Sequence, residues 1–272
     1  MTARNPLSFA NLQVIDADPL EQIEAAVAGG FDAVGLRIIA KYPTDIPIPI
    51  VGNKAMLQAI RHRLDIHGLF VLDAEVFRMT EDVDIDAKTP ILETVAELGA
   101  HYLLFVNEDT DESRASENIG RLAEKAAPYK IKPMLEFVSF YPTGTVEAAA
   151  RLIERSGHAN AGVMLDPLHL SRSGGTPDDL RKLNPALFDY CQFCDAPPPT
   201  DSLEQRKIEG RQDREFPGDG VLPLAGILDA LPQGIPLSVE TPRLRDKGLS
   251  PAERARLCGE ATRKFLRSVG RL

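Results

Sequence analysis

Short apolar segments alternate with longer amphipathic segments along the whole chain of 272 residues. The short segments have the length and composition of buried strands, whereas the long ones repeat their apolar positions every three to four residues, as helices do. Eight strands are predicted, at Leu7–Ile15, Ala33–Ile38, Leu69–Phe77, Tyr102–Val106, Lys132–Val138, Gly162–Asp166, Tyr190–Asp195 and Pro236–Glu240. Eight helices are predicted between and after them, at Pro19–Ala28, Lys54–Asp65, Ile85–Leu98, Ser113–Ala127, Val146–Ser156, Pro177–Leu183, Leu222–Leu231 and Pro251–Val269.

The starts of three predicted helices carry a capping side chain followed by proline, at Asp18, Thr176 and Ser250. Strands that alternate with helices predict a parallel sheet, and eight units of about 34 residues favour closure into a barrel. We therefore expect an α/β fold, a (β/α)₈ TIM barrel formed by residues 1–272 as a single domain. An open doubly wound sheet is the alternative, but the first strand is not followed by G-x-G-x-x-G and the chain has no P-loop.

The composition is that of a soluble globular protein, with 43% hydrophobic residues, 26% charged residues and a formal charge of −9. This charge opposes binding to a phosphate backbone, so nucleic acid is not an expected partner. Residues Met1 to Pro6 lack the features of a secretory signal, and no run approaches about 18 consecutive apolar residues. A cytoplasmic protein without a membrane partner is expected.

Three acidic residues interrupt otherwise apolar strands near their carboxyl ends: Glu136, Asp166 and Glu240. Pro167 and Pro242 follow closely, which indicates that two of the strands end there. A buried carboxylate is costly unless a cation or a donor balances it, and the carboxyl ends of barrel strands meet at one mouth. The three residues therefore predict a metal site, although each one alone would equally suit a helix cap or an ion pair with arginine.

Gln192 lies in the predicted strand between the last two of these acids and offers an amide oxygen to the same site. Three carboxylates and an amide form an all-oxygen ligand set, which favours Mn²⁺ or Mg²⁺, with Co²⁺ and Zn²⁺ as alternatives. A buried glutamine satisfied by the backbone is the other interpretation. The nearby Cys191 and Cys194 have C-x-x-C spacing, but three residues apart on a strand they point to opposite faces, so packing is expected rather than redox or zinc chemistry.

Five short motifs occur in a specific order and spacing: Leu135-Glu136, Leu165-Asp166-Pro-Leu-His169, Gln192-Phe-Cys-Asp195, Arg214-Glu-Phe-Pro217-Gly-Asp-Gly220 and Val239-Glu240-Thr-Pro242. Together they resemble the xylose isomerase-like TIM-barrel superfamily over nearly the whole chain, and within it the sugar isomerase and epimerase branch related to the ketose 3-epimerases. The resemblance implies one divalent metal held by Glu136, Asp166, Gln192 and Glu240. It also implies that His169 and Arg214 contact the substrate.

The activity implied by this resemblance is isomerisation or epimerisation of a sugar or a polyhydroxylated keto-acid, by proton transfer next to a carbonyl through an enediolate. Glu136 and Glu240 would transfer the proton, His169 would orient or protonate a substrate oxygen, and Arg214 would stabilise negative charge. A packing role for His169 and a solvated Arg214 are the alternatives. The resemblance further implies association into a homo-oligomer through the outer helices.

Gln192 departs from the epimerase pattern, which usually has histidine, and is similar to the ligand set of bacterial 3-dehydroshikimate dehydratases. A metal-dependent dehydratase is therefore the alternative function. Its substrate carboxylate would need an arginine, and four lie near predicted strand ends: Arg37, Arg78, Arg172 and Arg243. Two further alternatives are an endonuclease IV-like enzyme, which needs more histidines and a basic groove, and a barrel that binds carbohydrate without catalysis.

Asp73, Glu75 and Phe77 share one face of the third predicted strand, which points Glu75 into the barrel mouth. There it would contact substrate or form a buried ion pair. The remaining histidines are expected away from the mouth, at positions His62, His67, His101 and His158. The longest connection, from Ala196 to Val221, is expected to be a loop that covers the substrate.

Overall fold

The structure is a computed structural model, and it describes residues 4–40 and 49–272. Its strands are β1 Leu7–Phe9, β2 Ala33–Arg37, β3 Phe70–Met79, β4 Tyr102–Asn107, β5 Lys132–Glu136, β6 Gly162–Met164, β7 Cys191–Phe193 and β8 Leu237–Val239. Its α-helices are α1 Pro19–Gly29, α2 Lys54–His67, α3 Thr89–Glu97, α4 Glu112–Ala126, α5 Val146–Ser156, α6 Pro167–Arg172, α7 Pro177–Arg181, α8 Leu203–Gln212, α9 Leu224–Ala230 and α10 Pro251–Ser268. The residues Met1 to Ala3, part of the segment in which no signal is expected, lie outside this description.

All eight strands are parallel and pair in the order β6-β5-β4-β3-β2-β1-β8-β7. The two ends of this sheet meet where the Gln192 backbone N–H donates to the Leu165 carbonyl at 2.8 Å, beside a parallel bridge from Leu165 to Cys191. The predicted single-domain (β/α)₈ barrel is confirmed, and the open sheet is excluded. In the described part of the chain, no helix is both long enough and apolar enough to cross a membrane.

Apolar side chains form two layers. The larger one lies between the strands and the surrounding helices, and the smaller one fills the barrel interior with residues such as Leu72, Leu104 and Met164. Because both faces of every strand are covered, the strands read as nearly continuous apolar runs in the sequence. A charged side chain on the inner face is therefore surrounded by protein and needs a partner there.

Several predicted boundaries are wrong. The first strand ends at Phe9, because residues Asn11–Val14 form a 3₁₀ turn, and the third helix begins at Thr89 after another short 3₁₀ turn. The loop expected between Ala196 and Val221 contains α8, whose apolar residues do not gather on one face and so give no helical period. The short helix α6, which begins soon after β6, was not predicted.

The predicted helix starts are correct at all three capping residues. Asp18 accepts hydrogen bonds from two backbone N–H groups of α1, and Ser250 accepts one from Glu253 in α10. Thr176 precedes α7 as expected, and its backbone N–H and hydroxyl both donate to the Asp179 carboxylate.

Candidate metal centre

The four predicted ligands lie at neighbouring strand ends, as expected. Glu136 is the last residue of β5, Asp166 caps α6 directly after β6, Gln192 is the middle residue of β7, and Glu240 follows β8. Asp166, Gln192 and Glu240 are 0 to 3% exposed. Glu136, Gln192 and Glu240 line a cavity of about 410 Å³ at the mouth of the barrel, with Asp166 buried next to it.

Arg214 is buried among these carboxylates. Its Nη1 lies 2.7 Å from Asp166 Oδ2 and its Nη2 lies 2.8 Å from Glu240 Oε2, while its Nε–H donates to the Gly210 carbonyl at 3.0 Å. A solvated Arg214 is therefore excluded. Asp166 also accepts a hydrogen bond from the Leu168 backbone N–H, so it both caps α6 and pairs with arginine.

The carboxylates at this site interact strongly through their charges. Burial raises the pKa of Glu136 well above its ordinary value, and the negative charges of Glu240 and Asp166 raise it further. Burial also raises the pKa of Glu240 to about 8, although the Arg214 guanidinium opposes the shift. Asp166 differs, because Arg214 and His169 together overcome the effect of burial and lower its pKa. Such an arrangement favours a bound cation.

Gln192 presents an unsatisfied acceptor to the same place. Its Nε2 donates to Glu240 Oε1 at 3.2 Å, whereas its Oε1 is buried and accepts no hydrogen bond. A buried acceptor without a donor is costly, and a cation at this oxygen would remove the cost. The donor set and this orphaned oxygen both fit a divalent metal, so the residues present suit the predicted centre.

His169 lies in α6 and is only 4% exposed. Its Nε2 is 3.7 Å from Glu136 Oε1, and its Nδ1 is 3.4 Å from the Ser139 hydroxyl. Ligand atoms of His169, Glu136 and Asp166 all lie within 4.8 Å of one another. The resemblance assigned His169 to the substrate, but these distances place it beside two of the predicted metal ligands.

Glu75 lines the cavity as predicted, and its Oε2 lies 3.4 Å from Arg37 Nη2. Asp73 is buried on the same inner face of β3. The placement of Phe77 on that face is wrong, since it packs in the outer layer. The register of β3 against β4 shifts between Ala74 and Phe77, and this irregularity breaks the alternation on which the prediction relied.

Of the four arginines considered for a substrate carboxylate, Arg37 alone lines the cavity. The other three pair elsewhere: Arg78 with Glu108, Arg172 with Glu209 and Arg243 with Asp246. The remaining histidines lie away from the cavity, as expected: His62 on α2, His67 beside Glu24, His101 stacked on Phe70 and His158 bonded to Asn160. Cys191 and Cys194 are buried free thiols, and Cys194 does more than pack: its Sγ–H donates to Asp166 Oδ1 at 3.6 Å and its sulfur accepts from Arg214 Nη1 at 3.3 Å.

The contribution of α8 to the site was not predicted. This helix adds Lys207, Ile208 and Arg211 to the cavity wall, which also includes apolar barrel residues such as Val106 and Val138. A weak signal was present in the sequence: Ser202 begins a run without glycine or proline that extends to Glu209, and it caps the helix by accepting from the Gln205 backbone N–H.

A (β/α)₈ barrel with acidic side chains converging at its carboxyl-end mouth defines the class of the protein. A sequence model of the xylose isomerase-like TIM barrel matches residues 23–267, and the chain belongs to this family. It is 25% identical over 230 residues to the inosose isomerase of Halalkalibacterium halodurans, an alignment that covers 78% of this chain and 77% of that protein.

Two solved structures show the same fold. The structure of the IolI protein with a bound zinc atom superimposes with a TM-score of 0.78 at 20% identity, covering 97% of each chain. The structure of D-psicose 3-epimerase in the presence of D-fructose superimposes with a TM-score of 0.73 at 17% identity, covering 98% of this chain and all of that one. The resemblance drawn from the sequence is confirmed.

Proposed function

We propose that this protein is a divalent-metal-dependent isomerase or epimerase of a sugar or sugar derivative. The observation that carries the proposal is the convergence of Glu136, Asp166, Gln192 and Glu240 beside one cavity. The names of its relatives support it, since one is an inosose isomerase and another is a D-psicose 3-epimerase. Both names describe rearrangement of a polyhydroxylated ketone.

Glu136, Asp166, Gln192 and Glu240 would hold the metal, with His169 close enough to join them. A divalent ion there would polarise a substrate carbonyl and acidify the adjacent C–H. Oxygen donors favour Mn²⁺ or Mg²⁺. The zinc atom of the IolI structure and the proximity of His169 keep Zn²⁺ as a competitor.

Glu136 and Glu240 are the groups proposed to move the proton. Glu136 belongs to β5 and Glu240 follows β8, with β6 and β7 between them around the barrel, so the two carboxylates would approach a bound substrate from different directions. Burial raises the pKa of both carboxylates in the metal-free site, and either one in its ionised form can act as the base. His169, held near Ser139 through its Nδ1, directs its Nε2 toward the proton-transferring Glu136 and can orient a substrate oxygen there.

The cavity suits a small polar substrate with one apolar side. Its volume of about 410 Å³ lies at the small end of ligand sites, which is the size range of a monosaccharide or a cyclic polyol. Apolar wall residues include Leu104, Val106 and Phe140, which can cover the C–H face of a sugar ring. Charged and amide groups on the opposite side can bind its oxygens.

A metal-dependent dehydratase is the second candidate. Gln192 favours it, because glutamine at this position is similar to the dehydratase ligand set. Arg37 supports it as well, since this guanidinium lines the cavity and can bind a substrate carboxylate. Lys207 and Arg211 also line the cavity, together with the acidic Glu204.

Proton NMR in D₂O separates these functions. The metal-loaded protein is incubated with an inosose, with D-fructose and with 3-dehydroshikimate, after metal analysis of the purified protein. Deuterium incorporation next to the carbonyl with formation of an isomer is expected for the first two substrates. Formation of protocatechuate instead would establish the dehydratase and refute the isomerase.

Glu136→Gln is the informative variant, and Glu117→Gln, an exposed carboxylate on α4, is its control. Removal of a base in the reaction is expected to lower turnover by at least about 100-fold, whereas the control should be unaffected. A protein that binds no stoichiometric metal and exchanges no substrate proton would be a carbohydrate-binding barrel without catalysis.

A further inference from the structure

The helix α8 is not held to the barrel by its apolar side chains. It has two of them, Leu203 and Ile208, and they are 50% and 38% exposed. Helices of globular proteins usually bury their apolar positions against the core. A different interaction therefore holds this helix beside the cavity, whose wall includes Lys207 and Arg211.

That interaction is a buried ion pair between α6 and α8. The Arg172 Nε–H donates to Glu209 Oε2 at 2.9 Å, and Arg172 Nη2 contacts Glu209 Oε1. The same Nη2 donates to the Pro197 carbonyl at 2.7 Å, in the segment that precedes α8. The side chains of Arg172 and Glu209 are only 2% and 8% exposed. A bidentate pair of this kind fixes geometry as well as charge, and salt screens it little.

The ion pair lies next to two residues of the candidate site. Arg172 follows His169 by about one turn of α6. Gly210, which follows Glu209, accepts a hydrogen bond on its carbonyl from Arg214 Nε at 3.0 Å. A Cβ atom at residue 210 would lie 3.5 Å from His169 Cε1, so the backbone of α8 lies against the imidazole. The position of this backbone therefore affects both His169 and Arg214.

Loss of either partner of the pair would release α8 at this point. A charge left buried without its partner is strongly unfavourable, so Glu209 without Arg172 would move toward solvent. The exposed Leu203 and Ile208 offer little apolar burial to hold the helix back. The contacts of Gly210 with His169 and Arg214 would be lost together with the ion pair.

We propose that Arg172 and Glu209 are positioning residues: their ion pair holds α8 beside the cavity, and Gly210 then fixes His169 and Arg214. Neither Arg172 nor Glu209 lines the cavity, so both act through residues that do. The attachment of α8 is independent of the proposed function, whereas its effect on turnover rests on that function.

Trypsin tests the attachment of α8 without any substrate. The helix contains three cleavage sites that Arg172→Met leaves unchanged: Arg206, Lys207 and Arg211. Cleavage within α8 under native conditions, followed by mass spectrometry, should be at least about tenfold faster in Arg172→Met, because trypsin needs local opening of the helix. The matched control is Arg181→Met, since Arg181 on α7 pairs with Asp178 with about half of its side chain exposed. The control should be cleaved within α8 at the wild-type rate.

Two results of this experiment overturn the proposal. One is cleavage of α8 in Arg172→Met within about twofold of the wild-type rate. The other is an equal rise at Arg121 on α4, which would show general loosening of the protein. Arg172→Lys replaces Arg172→Met if that variant does not fold, with a rise of about threefold expected, since lysine does not make a bidentate pair.

Proton NMR of the imidazoles tests the positioning of His169, again without substrate. The Cε1–H resonance of His169, assigned by its loss in His169→Asn, should shift in Arg172→Met because the Gly210 backbone leaves the ring. It should keep its wild-type position in Arg181→Met. An unchanged resonance in Arg172→Met would refute the positioning of His169.

Turnover of whichever substrate proves active tests the consequence for the reaction. Arg172→Met is expected to lower kcat about tenfold or more, since small displacements of reacting groups are costly, and Arg172→Lys should recover part of the loss. An unchanged kcat in Arg172→Met would refute the positioning role. If the protein turns over neither a sugar nor a keto-acid, the proposed function fails, while the trypsin and NMR results still decide the inference.

Discussion

Arg214 is the buried cation whose removal should disturb the site most. Its guanidinium pairs with Asp166 and Glu240 at 2.7 and 2.8 Å, and the side chain is 2% exposed. Arg214→Met keeps much of the chain length and removes the charge. Asp166 and Glu240 then remain buried without their cation, next to Glu136.

The magnitude follows from what is left behind. Breaking a buried ion pair by removing one partner costs about 3–5 kcal/mol, because the other charge stays buried. Glu240 can escape part of this cost by taking up a proton, since its pKa is already about 8. Asp166, whose pKa is lowered in part by Arg214, is less readily protonated than Glu240. We expect a loss of about 3 kcal/mol at pH values near 8 and a smaller loss at mildly acidic pH.

Urea unfolding with a chelator present measures this loss. Arg245→Met is the matched control, because Arg245 pairs with Glu215 at the surface with about half of its side chain exposed. The control should lose less than about 1 kcal/mol. Added Mn²⁺ should stabilise Arg214→Met at least as much as wild type, by about 2.7 kcal/mol at a hundred times the dissociation constant.

A loss within about 1 kcal/mol of wild type at the more alkaline pH would refute the reasoning. It would mean that Asp166 and Glu240 do not depend on Arg214 for their charge balance. A loss that is independent of pH would contradict the protonation of Glu240 while leaving the ion pairs intact.

Three other outcomes are expected. Gly35→Ala should destabilise the protein by about 2 kcal/mol in urea unfolding, because its Cβ would collide with Asp73 Oδ1. The control Gly248→Ala, which has open space around it, should stay within about 0.5 kcal/mol of wild type. Equal effects would contradict the close approach of Asp73 to residue 35. The metal-free protein should lose a few kcal/mol of stability between about pH 4 and pH 8, because burial raises the folded-state pKa values of Asp73 and Glu75. Each carboxyl therefore lowers the free energy of unfolding as it ionises. A stability that rises over this pH range would be inconsistent with these shifts. Gln192→His should move metal preference in competition binding toward Zn²⁺, since imidazole is a softer donor than an amide oxygen, and an unchanged preference would remove Gln192 from the ligand set.

The strand positions and three acidic site residues were predictable from the sequence for a physical reason. A strand covered on both faces is apolar at every position, so a carboxylate within it stands out. Proline soon after Asp166 and Glu240 marked where two of these strands end. Since all carboxyl ends of a parallel barrel meet at one mouth, residues far apart in sequence were predicted to be neighbours, and the structure brings them together.

The burial of Arg214 was not predictable, because it depends on pairing between distant segments. The backbone groups of Asp195 and Glu215 bond to each other at 2.9 and 3.0 Å, and the Arg214 N–H donates to the Pro242 carbonyl at 2.8 Å. These contacts fasten a polar loop against the ends of β7 and β8. The polar sequence of this segment indicates a surface loop, but it does not indicate that the side chain of Arg214 is buried.

The close approach of Asp73 and Glu75 to Gly35 was not predictable for a different reason. Strict alternation correctly placed both on the inner face of β3, and it failed at Phe77, where the register shifts. The alternation of residues along β3 does not predict the space beside these two side chains. That space exists because Gly35 on the neighbouring strand has no side chain. A cross-strand glycine opposite two inward acids is therefore a signal to be read together with them, because the missing Cβ leaves room for both carboxylates beside the neighbouring strand.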